Sequence, residues 1–165
     1  MALGEWLVAL GLWSAPPPAL PPLQINAERV AVVGLSSGAY MAQQLHFAHA
    51  DKLVGAGLIA GGPYHCARGD LDTALSTCMA PEANTGPILP ELLAITRGRM
   101  QDGTLAPRQA LEGDRVYVFH GAQDTTVLPA LGRAAAQLYS LLGVTVDLKT
   151  DFDRSVPHTM PTADA

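Results

Sequence analysis

From Arg29 onward, short apolar runs alternate with longer segments of helical period. Val30-Ala31-Val32-Val33 is a continuous, mostly β-branched run, which predicts a strand buried on both faces of a parallel sheet and ending at Gly34. Ser37 to Ala50 places Tyr40, Met41, Gln44, Leu45, Ala48 and His49 at helical spacing, a mixed apolar stripe that predicts a helix. A second strand is expected over Leu53 to Ile59, closed by Gly61-Gly62-Pro63. After a loop, Glu91 to Met100 is a candidate helix with Pro90 at its N-terminal edge. Asp114 to His120 predicts a third strand and Pro129 to Leu142 a helix closed by Gly143. Val144 to Lys149 predicts a fourth strand. The order strand, helix, strand, loop and helix, strand, helix, strand implies an α/β domain: a mostly parallel sheet of four strands with helices on both faces.

Composition narrows the class of partner. The chain has 165 residues, 48% hydrophobic and 15% charged, with a net charge of −5, which suits one globular domain. Its only lysines are Lys52 and Lys149 and it has no basic run, so nucleic-acid binding is not expected. The apolar segment from Trp6 to Trp13 is too short to span a bilayer. It lies in a leader, residues 1–22, that ends in the proline-rich stretch Pro16 to Pro22. The leader reads either as a secretory signal peptide, with Glu5 where basic residues are usual, or as an undocked extension. Residues 23–165 then form the domain proper.

The sequence Gly34-Leu35-Ser36-Ser37-Gly38 matches G-x-S-x-G and stands between a strand and a helix. That context gives the motif its mechanical meaning: a tight turn presents the Ser36 hydroxyl above the sheet edge. The start of the helix aims the Ser37 N–H at an oxyanion formed there. A serine needs a base and the base an orienting carboxylate, in the chain order Ser, Asp, His for such folds. Asp124 follows the third strand, where an acidic residue also suits a helix N-cap, and His158 follows the fourth between Pro157 and Pro161. His46 and His49 are expected on a solvated or half-buried helix face, with no acidic third ligand to make a metal site. His120 is expected to make a structural hydrogen bond. His65 and Tyr64 are candidate cleft residues. No cofactor and no metal is expected.

Cys66 and Cys78 lie within the loop after the second strand. Spacing alone leaves a disulfide, two free thiols or a metal site open; a bridge would close a loop worth about 3 kcal/mol of chain entropy.

Together, Gly34 to Ala42, Gly61 to Ala67, Ser76 to Met79, Asp124 to Val127 and His158 to Thr162 resemble the secreted poly(3-hydroxybutyrate) depolymerases. The closest likeness is to the single-domain, circularly permuted group, and it runs from about Leu20 onward. The resemblance implies a partial α/β-hydrolase fold and an extracellular or periplasmic serine esterase acting on a polyester or small esters. It also implies Ser36, Asp124 and His158 as the triad and a Cys66–Cys78 bridge. Rival expectations are a generic carboxylesterase or feruloyl esterase of the same fold, or a non-catalytic remnant or binding module. The sequence holds only the nucleophile-to-histidine half of such a fold and runs seven residues past His158. The strands that bring the second oxyanion donor are therefore expected to be missing and activity weak. The uncovered sheet edge would invite pairing between copies.

Overall fold

The regular elements follow the apolar runs. They are β1 (Val30–Leu35), α1 (Ser37–Ala48), β2 (Leu53–Ile59), α2 (Leu71–Leu75), α3 (Ile88–Gln101), β3 (Arg115–Phe119), α4 (Pro129–Leu141) and β4 (Asp147–Asp151), with a 3₁₀ turn at Arg108–Leu111. The computed structural model describes residues 18–80 and 88–162. The leader through residue 17, including its signal-peptide reading, lies outside the described residues, as do residues 81–87 of the loop and 163–165. Residues 18–22 are exposed and without regular structure.

The four strands pair in parallel in the order β1-β2-β3-β4. Leu35, Ile59, Phe119 and Asp151 form the last cross-strand row. Beyond it the ladder continues through Ser36 N–H to Ile59 O (2.8 Å), Ala60 N–H to Phe119 O (2.9 Å) and His120 N–H to Asp151 O (2.9 Å). The residues leaving β1, β2 and β3 are thus held side by side at one edge, the edge where open α/β sheets place their ligands.

Alternation along the strands sends Val32, Ala56, Leu58, Val116, Val118 and Leu148 into one core with residues of α1, α3 and α4. The opposite row, including Ala31, Val33, Gly57, Tyr117 and Lys149, is open among the described residues, where two-sided cover was expected. β1 is correspondingly not buried on both faces. Among the described residues it is an edge strand with only β2 beside it, and Val33 is 63% exposed. β4 also sits later than its expected span, because Val144 and Val146 pack against the core before pairing begins at Asp147. Gly143, at φ +75°, does end its helix as expected. α3 starts at Ile88, three residues early, with Pro90 tolerated in its first turn. The short α2 was not anticipated; Asp70 caps it by accepting from Thr73 N–H at 2.7 Å.

The largest departure concerns α1. Its buried face is Ala39, Ala42, Gln43, His46 and Phe47, while Met41 and Leu45 of the expected stripe are exposed. Small alanines let the helix lie close to the sheet, and the polar members find partners. Gln43 donates to Ala135 O (3.1 Å) and accepts from Tyr64 N–H (2.7 Å). His46, expected on a solvated or half-buried face, is wholly buried between the Tyr139 hydroxyl (2.8 Å) and the Asp114 carboxylate (3.0 Å). His49 is exposed.

Candidate active site

Ser36 stands in the turn between β1 and α1 with φ +58° and ψ −122°, a conformation costly for any residue with a Cβ. Gly34 makes the turn possible: a Cβ there would lie 2.0 Å from Gly38 O. Gly38, by contrast, has open space where its Cβ would be, so only the first motif glycine is sterically required. Ser37 opens α1, and its amide has no acceptor four residues back within the helix.

Asp124 is buried, and both of its carboxylate oxygens are engaged. Oδ1 accepts from the amides of Thr126 (2.9 Å) and Val127 (3.0 Å). Oδ2 lies 2.7 Å from His158 Nδ1 and 3.0 Å from His120 Nε2. Burial works to raise its pKa, but the hydrogen bonds from His158, Val127 and Thr126 outweigh it and hold the carboxyl below its ordinary value. Asp124 is not the N-cap of α4: Leu128 occupies that position, with no side-chain cap bond.

The loop carrying His158 is pinned to the Asp124 loop by Ala122 N–H to Arg154 O (2.8 Å) and Gln123 N–H to Val156 O (3.2 Å). Val156 packs against Ile59, Ala60 and Phe119 beneath it. With Nδ1 turned to Asp124, the other ring nitrogen of His158 is the one left to meet a substrate or a hydroxyl. The structure therefore joins Asp124 to His158, whereas among the described residues no hydrogen bond links the Ser36 hydroxyl to His158. Catalytic hydrogen bonds are often long in ligand-free enzymes.

His120 makes the structural bond expected of it, from Nε2 to Val127 O at 2.7 Å, and shares that nitrogen with Asp124. Its contact with the carboxylate was not foreseen. Its Nδ1 is buried with no hydrogen-bond partner among the described residues, and burial holds its pKa down.

A cleft of about 420 Å³ opens beside Ser36, lined among others by Ser37, Tyr40, His65, Met79 and Val127. Cys66 and Cys78 are bonded to each other and form part of its wall. The Tyr40 hydroxyl donates to Cys78 O, tying α1 to that wall. The structure places His65 in the lining of the cleft. Tyr64 is not there: it is buried behind it, its hydroxyl accepting from Arg99 Nη1 at 2.8 Å. Among the described residues no group of three or more His, Cys, Asp or Glu side chains is placed to hold a metal ion, and no helix is long and apolar enough to cross a membrane.

No protein-family model matches the chain. A poly(3-hydroxybutyrate) depolymerase of Delftia acidovorans is 34% identical over 146 residues, 88% of this chain and 29% of that protein. A polyhydroxybutyrate depolymerase of Talaromyces funiculosus is 39% identical over 136 residues, 81% of this chain and 38% of that protein. The chain belongs to the poly(3-hydroxybutyrate) depolymerase family. Solved structures agree. The PHB depolymerase of Penicillium funiculosum superposes with a TM-score of 0.68 at 32% identity, over 88% of this chain and 44% of that one. A serine-to-alanine PHB depolymerase in complex with an R3HB trimer gives a TM-score of 0.70 at 30% identity, with the same coverage. The chain thus spans less than half the length of these relatives. The likeness bears out the partial α/β-hydrolase fold that the resemblance implied.

Proposed function

We propose that the chain carries the nucleophile-to-histidine portion of a serine esterase that cleaves poly(3-hydroxybutyrate) or related hydroxyacyl esters. The observation that supports this most is the 2.7 Å hydrogen bond between Asp124 and His158, made at the sheet edge from which Ser36 projects on a left-handed turn. In this reading Asp124 fixes the tautomer and orientation of His158. The second ring nitrogen takes the Ser36 proton as Oγ attacks the ester carbonyl carbon. The oxyanion that forms meets the Ser37 N–H. Collapse breaks the bond to the alkoxy oxygen, which leaves with the proton held by His158 and leaves the acyl group on Ser36. Water, deprotonated by His158, then attacks the acyl carbon and releases a 3-hydroxy acid while Ser36 regains its proton. A disulfide in the cleft wall suits an oxidising compartment, in keeping with an extracellular or periplasmic enzyme.

Exposure of the folded protein to a fluorophosphonate probe tests this directly. Labelling at Ser36 that disappears in Ser36→Ala is the expected result, together with loss of hydrolysis of a short p-nitrophenyl 3-hydroxyacyl ester. A folded protein that the probe does not label would overturn the proposal in favour of a non-catalytic binding module.

A further inference from the structure

The cleft beside Ser36 is mostly apolar, with Ala74, Leu75, Met79 and Val127 in its lining, but one part of it is cationic. Arg68 and His65 line it there, with Arg99 behind them, in a chain whose net charge is −5. The two arginines have different tasks. Arg99 is committed: Nη1 donates to the Tyr64 hydroxyl at 2.8 Å, and the guanidinium lies 3.3 and 3.4 Å from the ring nitrogens of His65. It fixes the imidazole. Burial, then the Arg99 and Arg68 cations, hold the His65 pKa down, and the permanent positive charge among the lining side chains is that of Arg68.

Arg68 is held in place by a tight turn. His65 (φ +58°), Arg68 (φ +53°) and Gly69 (φ +82°) all adopt left-handed backbone within residues 64–69. Arg68 N–H to His65 O (3.2 Å), Asp70 N–H to Ala67 O (2.8 Å) and the Cys66–Cys78 bond maintain it. Among the described residues the guanidinium uses only Nη2, which donates to Glu91 Oε2 at 2.8 Å. Both side chains of this pair are well exposed, 40% and 53%, so it is weak and readily exchanged. The remaining donors of the fork match a second carboxylate.

We infer that this part of the cleft is a carboxylate subsite, in which Arg68 receives the free terminal carboxylate of a short hydroxyacyl oligomer whose scissile carbonyl lies at Ser36. The inference rests on the esterase reading for what enters the cleft and adds which end of it is recognised. In a linear hydroxyacyl oligomer the carboxylate belongs to the fragment that leaves as the alcohol. Arg68 would therefore favour cleavage counted from the carboxyl end, and acid oligomers over capped ones.

Calorimetric titration of the Ser36→Ala protein with a 3-hydroxybutyrate trimer, as free acid and as methyl ester, tests this without relying on turnover. The acid is expected to bind about five- to tenfold tighter than the ester at low salt. Arg68→Gln should shrink that ratio towards one, and Glu91→Gln, which removes the competing carboxylate, should widen it. Equal affinities, no detectable binding of either ligand, or a ratio indifferent to Arg68→Gln would each overturn the subsite. Fluorophosphonate labelling of Ser36 is an independent measurement, so the esterase reading and the subsite can fail separately.

Discussion

Replacing His46 by leucine tests whether the polar cluster under α1 holds the fold. The ring is wholly buried, with Nδ1 2.8 Å from the Tyr139 hydroxyl and Nε2 3.0 Å from Asp114. Burial holds the His46 pKa down. The assignment that satisfies all three groups is therefore a neutral ring donating from Nε2 to the carboxylate and accepting at Nδ1 from the phenol. Leucine fills a similar volume and removes both partners. Tyr139 is 0% exposed, so its hydroxyl loses its acceptor where water cannot replace it, at about 1–3 kcal/mol. Asp114 is 8% exposed and reaches some water, which lowers its share to about 1–2 kcal/mol. Apolar burial of leucine returns part of this, leaving a net loss of about 2–4 kcal/mol, a large fraction of the roughly 5–15 kcal/mol typical of a domain. Urea unfolding should show the midpoint falling by about 1–2 M with the slope unchanged. Adding Tyr139→Phe removes the stranded hydroxyl, so the double variant should lose at least about 1 kcal/mol less than the sum of the singles. A His46→Leu protein within about 0.5 kcal/mol of the parent, or strictly additive losses, would refute the cluster as a stabilising unit.

Three further outcomes follow from single observations. Gly132→Ala should lower the melting temperature, against the usual gain of about 1 kcal/mol for alanine in a helix, because its Cβ would lie 2.4 Å from Nδ1 of the buried His120. Burial depresses the folded pKa of His120, so its contribution to stability is fully present above the unfolded value near 6.5 and is lost as pH falls below it. Urea midpoints measured from pH 7 to 5 should therefore fall with a slope of up to about 1.4 kcal/mol per pH unit from this group, and His120→Gln should flatten it. Reduction of Cys66–Cys78, separated by 12 residues, should cost about 3 kcal/mol by differential scanning calorimetry with and without dithiothreitol.

The order of elements was legible because β1, β2 and β3 are short apolar runs with glycines at or near their ends, and because the Ser-Asp-His order places its partners on loops leaving successive strands; β4, Asp-Leu-Lys-Thr-Asp, is not such a run, and only the apolar residues just before it announced it. The hydrogen bond between Asp124 and His158 is what that order anticipates. The inward face of α1 was not legible. Two of its five buried residues, Gln43 and His46, are polar, and the groups that make their burial tolerable are distant in sequence: Tyr64 N–H, Ala135 O, Asp114 and Tyr139. The larger apolar residues Met41 and Leu45 lie on the opposite side, with Gln44 and His49 at the same spacing, so residue type alone does not mark the buried face. β1 misled for a different reason. Its apolar run is compatible with burial on both sides, but burial of an edge strand is decided by what lies beside it, and Val33 faces an open sheet row. Tyr64 and His65 are adjacent in sequence and only His65 reaches the cleft, because its left-handed backbone turns it outward while Tyr64 packs on Phe47.

Val127 connects the disulfide-walled cleft to the candidate carboxylate. Its amide donates to Asp124 Oδ1 at 3.0 Å, its carbonyl accepts from His120 Nε2 at 2.7 Å, and its side chain packs with Cys66, Cys78 and Leu131. The backbone that seats Asp124 is therefore the backbone whose side chain rests on the bridge. Leu128 N–H donates to Met79 O at 2.8 Å, a second tie between the same two loops one residue on from each. Packed elements of this kind shift together and not independently, so loosening the 66–78 loop moves the support of Asp124, and with it the orientation of His158. A bridge that served chain entropy alone would leave Ser36 equally reactive in the fraction that stays folded on reduction. If the bridge also seats Val127, its reduction lowers the rate of fluorophosphonate labelling within that folded fraction, and the two contributions separate when labelling is measured well below the reduced protein's melting temperature.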